Sequence, residues 1–142
     1  MEERITIEKE LSKNDVGVTG SHQAGILIPK KEELLKFFPE LDKSLENPRV
    51  SLAFWDDSNT IWHFNLIYYN NQFRGGTRNE YRLTGMTKYI RSCNLSAGDK
   101  LIMERQDGQY RVSYKRKSET ETEADDSIIR LTINSWKMVS YE

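Results

Sequence analysis

Strand-like patterning dominates the chain. Arg4-Ile5-Thr6-Ile7-Glu8 alternates polar and apolar residues, which predicts a strand with one face buried. Ala24-Gly25-Ile26-Leu27-Ile28 is a short apolar run halted by Pro29, which has no N–H to give to a ladder. Arg49 to Trp55 and Thr60 to Tyr69 read as a strand pair across the turn Asp56-Asp57-Ser58-Asn59. Lys100 to Arg105 and Gln109 to Lys115 flank Asp107-Gly108, a dipeptide that tolerates the positive φ angles of a type I′ turn, so a hairpin is predicted there. Ser127 to Ile133, with Trp136 to Val139 beyond it, supplies closing strands. Two segments break the alternation. Lys30 to Phe38 places Leu34, Leu35, Phe37 and Phe38 mostly on one side ahead of Pro39, which predicts a short helix. A second is expected from about Met86 to Cys93, following Gly85. Seven or eight short strands and two short helices predict a mainly β domain, a strongly twisted barrel or sandwich.

Size and composition narrow the class. With 142 residues, the chain is expected to form one domain, 1–142, with a real core. Seven Tyr, five Phe and three Trp argue against a disordered chain. No apolar run approaches the ~20 residues of a membrane helix, and the charged start MEERITIEKE is unlike a secretory signal. One cysteine, Cys93, excludes an internal disulfide framework and a multi-cysteine zinc site. A soluble domain of a reducing compartment, with no membrane partner, is the expectation. The net charge of -1 conceals an uneven layout. Arg74, Arg78, Arg82, Lys88 and Arg91 face only Glu80 across residues 74–91, whereas Glu119, Glu121, Glu123, Asp125 and Asp126 form an acidic tract that reads as a loop. A local basic stretch attracts phosphate whatever the total charge, although scattered Arg can equally well solvate a loop.

Catalytic patterns are missing. A metal-dependent nuclease of the common restriction type needs an acid-x-Lys pair to hold its ion and orient water, and no lysine here has Asp or Glu two positions before it. The two histidines, His22 and His63, lie about forty residues apart, and no His-x-x-x-His or paired-carboxylate spacing occurs. Cys93 sits at a predicted helix end, where an inert buried thiol is expected rather than a nucleophile. The domain therefore reads as non-catalytic, with no metal site and no cofactor.

Two loops carry the chemistry that remains. Ser12 to Gln23 packs Lys13, Asn14, Asp15, Thr19, Ser21 and His22 between two strands, with Gly17 and Gly20 permitting close backbone approach. Such short donors and acceptors can reach phosphate oxygens and base edges, but an ordinary long hairpin loop would look similar. The second loop, Asn70 to Arg82, leads into a strand whose alternation puts Arg78, Glu80 and Arg82 on one face and Asn79 and Tyr81 on the other. Arg matches guanine O6 and N7, and a carboxylate accepts from cytosine N4. A cross-strand salt-bridge ladder is the competing reading of that face.

The stretch from Asn14 to Pro29, NDVGVTGSHQAGILIP, closely resembles the opening of the EcoRII N-terminal, or effector, domain family. Ile67-Tyr68-Tyr69-Asn70 followed by Thr77-Arg78-Asn79-Glu80 and Arg82 is similar to the family's other signature, and Asn47-Pro48 also fits. The resemblance covers most of residues 1 to about 115. It implies a DNA-binding pseudobarrel, a seven- to eight-stranded open barrel shared with the plant B-three transcription-factor domain, in which two arms grip duplex DNA from the major-groove side. Carried over residue by residue, it makes Asn14, Asp15, Thr19, Ser21 and His22 the expected contacts of a first arm. Arg78, Asn79, Glu80 and Arg82 are those of a second, with Lys13, Arg74 and Thr77 on the DNA backbone. Phe73-Arg74-Gly75-Gly76 departs from the family, where a basic residue can stand next to the position of Thr77, so Arg74 is expected to take that role from a shifted place.

The resemblance implies a prokaryotic, cytoplasmic protein whose partners are double-stranded DNA and a nuclease domain linked to or associated with this one, Mg being needed only there. Its role would be that of an effector domain in a type IIE-like restriction endonuclease, at a site akin to the CC(A/T)GG of the family's type member. A stand-alone DNA-binding regulator on the same fold, and an interaction barrel that binds no nucleic acid, are the alternatives.

Overall fold

The computed structural model describes residues 4–17, 25–70, 75, 79–117, 132–133 and 136–141. Its strands are β1 (Arg4–Glu10), β2 (Ile26–Ile28), β3 (Arg49–Trp55), β4 (Ile61–Asn70), β5 (Asn79–Thr84), β6 (Lys100–Gln106), β7 (Gln109–Lys115), β8 (Thr132–Ile133) and β9 (Trp136–Tyr141), and its helices are α1 (Glu32–Leu35) and α2 (Thr87–Ser92). All the strands join one sheet in the order β2-β5-β4-β3-β7-β6-β1-β9-β8. Neighbours run antiparallel except β3 and β7, which meet in parallel over only Phe54↔Tyr110 and Trp55↔Arg111.

The sheet curls until its ends approach. Trp136, wholly buried on β9, donates its indole N–H to the Leu27 carbonyl on the far edge strand β2 at 2.9 Å. Among the described residues this side-chain bond spans a seam that no backbone pairing closes, giving an open barrel of mainly β structure with two short helices. Inward residues fill it: Ile5 and Ile7 of β1, Phe54 of β3, Phe64 and Leu66 of β4, Leu83 of β5, Leu101 and Met103 of β6, and Val112 of β7 are all nearly or fully buried. The helices add Leu34, Phe37 and Phe38 on one side and Met86, Tyr89 and Ile90 on the other. Ring contacts Phe37–Phe54 and Phe64–Tyr89, at 6.5 and 6.0 Å, tie both helical segments to the strands.

Several element boundaries differ from the sequence reading, each for a local reason. The first helix is four residues long rather than Lys30 to Phe38. After Leu35 the chain tightens into Phe37 N–H to Leu34 C=O and Phe38 N–H to Leu35 C=O bonds, the i to i+3 spacing that turns both rings inward. The strand expected from Ala24 starts at Ile26, because Gly25 has a φ of +92° and cannot be extended. There is no room for another residue at that place. A Cβ on Gly25 would lie 2.6 Å from the Leu83 carbonyl oxygen. Asp107 and Gly108 both have positive φ, as a type I′ hairpin requires. At the β3–β4 turn, the Asp56 carboxylate accepts from the Trp62 indole, which chiefly draws its pKa below the usual range against the opposing effect of burial, and the N–H groups of Thr60 and Ser58 add to the lowering. Of the closing strands, Thr132–Ile133 and Trp136–Tyr141 are seen, while 127–131 and the acidic tract lie outside the described residues.

Candidate nucleic-acid interface

Strand pairing decides what the two loops share. β5 pairs with β2 on one side (Ile26↔Leu83, Leu27↔Arg82, Ile28↔Tyr81) and with β4 on the other (Tyr69↔Glu80, Ile67↔Arg82, Asn65↔Thr84). The first loop returns at Gly25, packed beside Leu83 and Thr84, and the second returns at Asn79. The residues at which the two loops return, Gly25 and Asn79, therefore lie at opposite ends of one six-residue strand, about 17 Å apart at ~3.4 Å per residue. That span is comparable with a major groove about 12 Å wide plus part of its walls.

The strand between them presents the expected face. Tyr81 and Leu83 are buried, and Glu80, Arg82 and Thr84 alternate outward, each half-buried. Arg82 gives its Nε to Glu80 Oε2 at 2.6 Å and its Nη1 to the Gly25 carbonyl at 3.0 Å. The ion pair lies along β5 itself, between residues two apart, and is not a cross-strand ladder; its Arg82 also ties the pair to the end of the first loop. Both residues keep about a fifth of their side-chain surface in water, 23% for Glu80 and 20% for Arg82, so they stay within reach of a ligand. On β3 beyond, Arg49 and Ser51 are exposed on the same face, opposite Ile67 and Asn65. Arg49 is a cation that the sequence reading did not single out; register, which one sequence does not state, is what brings it into the row of Arg82.

The roots of both loops are held by buried polar groups. Asp15 is 8% exposed: its carboxylate accepts from Lys9 Nζ at 2.7 Å and from Ser12 N–H at 2.9 Å. Ser12 Oγ in turn accepts from Asp15 N–H at 3.1 Å. Lys13 and Asn14 lie exposed on the same turn. At the second loop, Asn70 is wholly buried at the end of β4. Its Oδ1 accepts from Asn47 N–H at 2.7 Å, its Nδ2 donates to the carbonyls of Leu45 (2.7 Å) and Lys43 (3.3 Å), and its N–H donates to Asn47 Oδ1. The signal for Asn70 was an amide closing an apolar strand, and the Asn47-Pro48 pair that fitted the resemblance proves to be its partner. Thr19, Ser21, His22, Arg74, Thr77 and Arg78 lie outside the described residues; Asn79 is half-buried at the start of β5.

Other features fall elsewhere. The groove of about 840 Å³ among Leu35, Phe38, Leu41, Lys43, Leu66 and Tyr81 is lined from β5 by Tyr81, which lies on the opposite face from Glu80 and Arg82. Cys93, expected to be buried, is half-buried beyond α2. Burial raises its pKa, and the Tyr89 hydroxyl only partly offsets this. Lys88 and Arg91 are exposed on α2. Among the described residues no cluster of His, Cys, Asp and Glu suited to a metal ion occurs, and no helix is long and apolar enough to cross a membrane.

The sequence profile described as restriction endonuclease EcoRII, N-terminal, matches residues 2–103. The chain is 42% identical over 79 residues to the type II restriction enzyme EcoRII of Escherichia coli, a match that covers 54% of this chain and 19% of that protein. It is 34% identical over 92 residues to auxin response factor 1 of Arabidopsis thaliana, covering 64% of this chain and 13% of the plant protein. Among solved structures, the Arabidopsis FUS3–DNA complex superposes with a TM-score of 0.59 at 21% identity, over 77% of this chain and 94% of the other. The fold is thus the DNA-binding pseudobarrel. The chain spans a fifth or less of the length of these two curated relatives.

Proposed function

The chain belongs to the family of EcoRII N-terminal domains, and on that footing we propose that it binds double-stranded DNA sequence-specifically with its two loops and the outward face between them. The observation that supports the reading is that Gly25 and Asn79, the residues at which the two loops return, lie at the two ends of β5 with Glu80 and Arg82 between them. Asn14 and Lys13 on the first loop and Asn79, Glu80 and Arg82 on the second are the described members of the contact set. Thr19, Ser21, His22 and Arg78 complete it on the resemblance, with Arg74 and Thr77 on the backbone. Arg78 reads guanine and Glu80 accepts from cytosine N4, which suits a G·C-rich site. Asp15 acts from the interior, holding the first loop.

We further propose that the domain serves as the effector module of a type IIE-like restriction endonuclease, occupied by one copy of a CC(A/T)GG-like site while a nuclease domain elsewhere cuts another. It needs no metal for DNA binding. The 34% identity to auxin response factor 1 supports a second reading, a stand-alone regulator on the same fold.

Selection of bound sites from a random duplex pool, at two salt concentrations, tests the proposal. A single enriched motif whose affinity exceeds that of random duplex by a thousandfold or more is the expected outcome, at about the lower limit for specific binders. Enrichment of nothing would sink it. Addition of the selected duplex to the full-length gene product, with cleavage of a separate site as readout, separates effector from regulator.

A further inference from the structure

Lys9 is a buried lysine that the proposed contacts do not use. With Asp15 it forms an ion pair in which each side chain is 8% exposed. Removing two charges from water is expensive, and apolar residues of similar volume often serve stability as well or better. What an ion pair supplies that apolar contact does not is direction. Here the direction is specific: Lys9 lies on β1 just before the first loop, and its ammonium reaches the Glu10 carbonyl at 3.2 Å and Asp15 at 2.7 Å. Asp15 then fixes Ser12 N–H, and Ser12 fixes Asp15 N–H in return. Further bonds from Val16 N–H to the Ser12 carbonyl and from Gly17 N–H to the Asn14 carbonyl, both at 3.2 Å, complete the turn. Leu11 is clamped between Asp99 and Gly98 by two backbone bonds of 2.9 and 2.8 Å. The far root of the same loop is held by Arg82 on the Gly25 carbonyl. The turn so fixed directs Asp15 inward and leaves Lys13 and Asn14 outside.

We infer that Lys9 is a positioning residue for DNA binding: its buried pair with Asp15 sets the path by which the first loop meets the duplex, while neither side chain touches DNA. The inference rests on the DNA-binding reading above. It gives the pair a role that neither charge count nor surface exposure would suggest.

The test uses the 142-residue chain, comparing wild type with the double variant Lys9→Met/Asp15→Leu and with Asp15→Asn. The double variant replaces the pair by apolar bulk, so its melting temperature is expected to stay within a few degrees of wild type. Its affinity for the selected duplex should fall roughly tenfold or more, the equivalent of about 1.4 kcal/mol, with an unchanged dependence on salt, because no phosphate contact is lost. Hydrogen exchange at the amides of Ser12, Asp15, Val16 and Gly17 should quicken at least about tenfold while core-strand amides keep their protection. If the double variant does not fold, Asp15→Asn carries the affinity and salt measurements and exchange at Asp15, Val16 and Gly17, since it removes the charge yet keeps an acceptor for Ser12. Wild-type affinity in the variant, or unchanged exchange at the amides measured in it, overturns the inference. A salt slope lower by about one unit would place Lys9 on a phosphate and overturn it too. If wild type binds no duplex, the DNA-binding reading itself fails, a result told apart by the exchange data.

Discussion

Replacing Trp136 by Phe tests how the barrel is closed. The indole is wholly buried, and its N–H reaches the Leu27 carbonyl at 2.9 Å, from β9 to the edge strand β2, between which no backbone pairing occurs among the described residues. Phenylalanine keeps an aromatic ring in place but removes the donor. The Leu27 carbonyl, half-buried on β2, then loses its partner, which costs about 1–3 kcal/mol. The smaller ring also gives up two buried carbons, worth about 0.8 kcal/mol each. Together these give roughly 3 kcal/mol. Unfolding entropy of about 2.1 cal/mol/K per residue makes each kcal/mol worth about 3 °C in a chain of this length, so the melting temperature should drop by about 10 °C. Thermal melts followed by circular dichroism and by calorimetry, with agreement between the two as the check on two-state behaviour, provide the assay. Because β2 is the strand on which the first loop returns, amides at 26–28 should lose protection before those of β6 and β7 do. A drop of under about 3 °C, or loss of protection spread evenly over the sheet, would refute the idea that this one bond closes the seam.

Three further outcomes are expected. Glu80→Ala removes the carboxylate beside Arg82; it should weaken the selected site roughly tenfold or more, ~1.4 kcal/mol, while random duplex binds unchanged or tighter because a phosphate-repelling charge has gone. Competition titrations with both duplexes decide it, and equal affinity of variant and wild type for the selected site would reduce Glu80 to a salt-bridge partner. Asn70→Ala strips the wholly buried amide that ties β4 to residues 43–47, which should destabilise the chain by about 2–4 kcal/mol in denaturant titration; a cost under 1 kcal/mol would show that the segment finds other partners. Glu8 provides the pH dependence. Burial pushes its pKa up, but the hydrogen bonds and charges of Lys137 and Lys100 outweigh this and hold it below the usual range. A depressed pKa stabilises the fold above the unfolded value near pH 4.3 and loses that contribution as pH falls toward the folded one. The stability gap between wild type and Glu8→Gln should therefore be full at pH 6–7 and narrow below about pH 4; a gap that is constant with pH would exclude the ion pairs as its source.

Much of this molecule was legible in the order of its residues. Period-two alternation found β1, and turn residues set between apolar runs found β3, β4, β6 and β7, each to within two residues at either end, because half-buried strands and tight turns both leave local marks in the chain. Asp107-Gly108 foretold its hairpin because positive φ has few residue types to choose from. Alternation also put Glu80 and Arg82 on one face and Tyr81 on the other, as β5 does. Those are local properties, fixed by sterics and solvent within a few residues.

The rest depends on separations that the chain does not write down. That β2 lies on β5, so that both loops return at the ends of one strand, follows from a pairing between residues some 55 positions apart. That Arg82 braces Gly25, that Asn70 finds Asn47 and that Trp136 bridges to Leu27 likewise join residues 57, 23 and 109 positions apart; Lys9 and Asp15 are only six apart, but their being buried together is set by what packs over them. A charged or amide side chain looks alike in sequence whether it meets water or a buried partner. Only the folded sheet decides which, because the desolvation it imposes makes a partner obligatory.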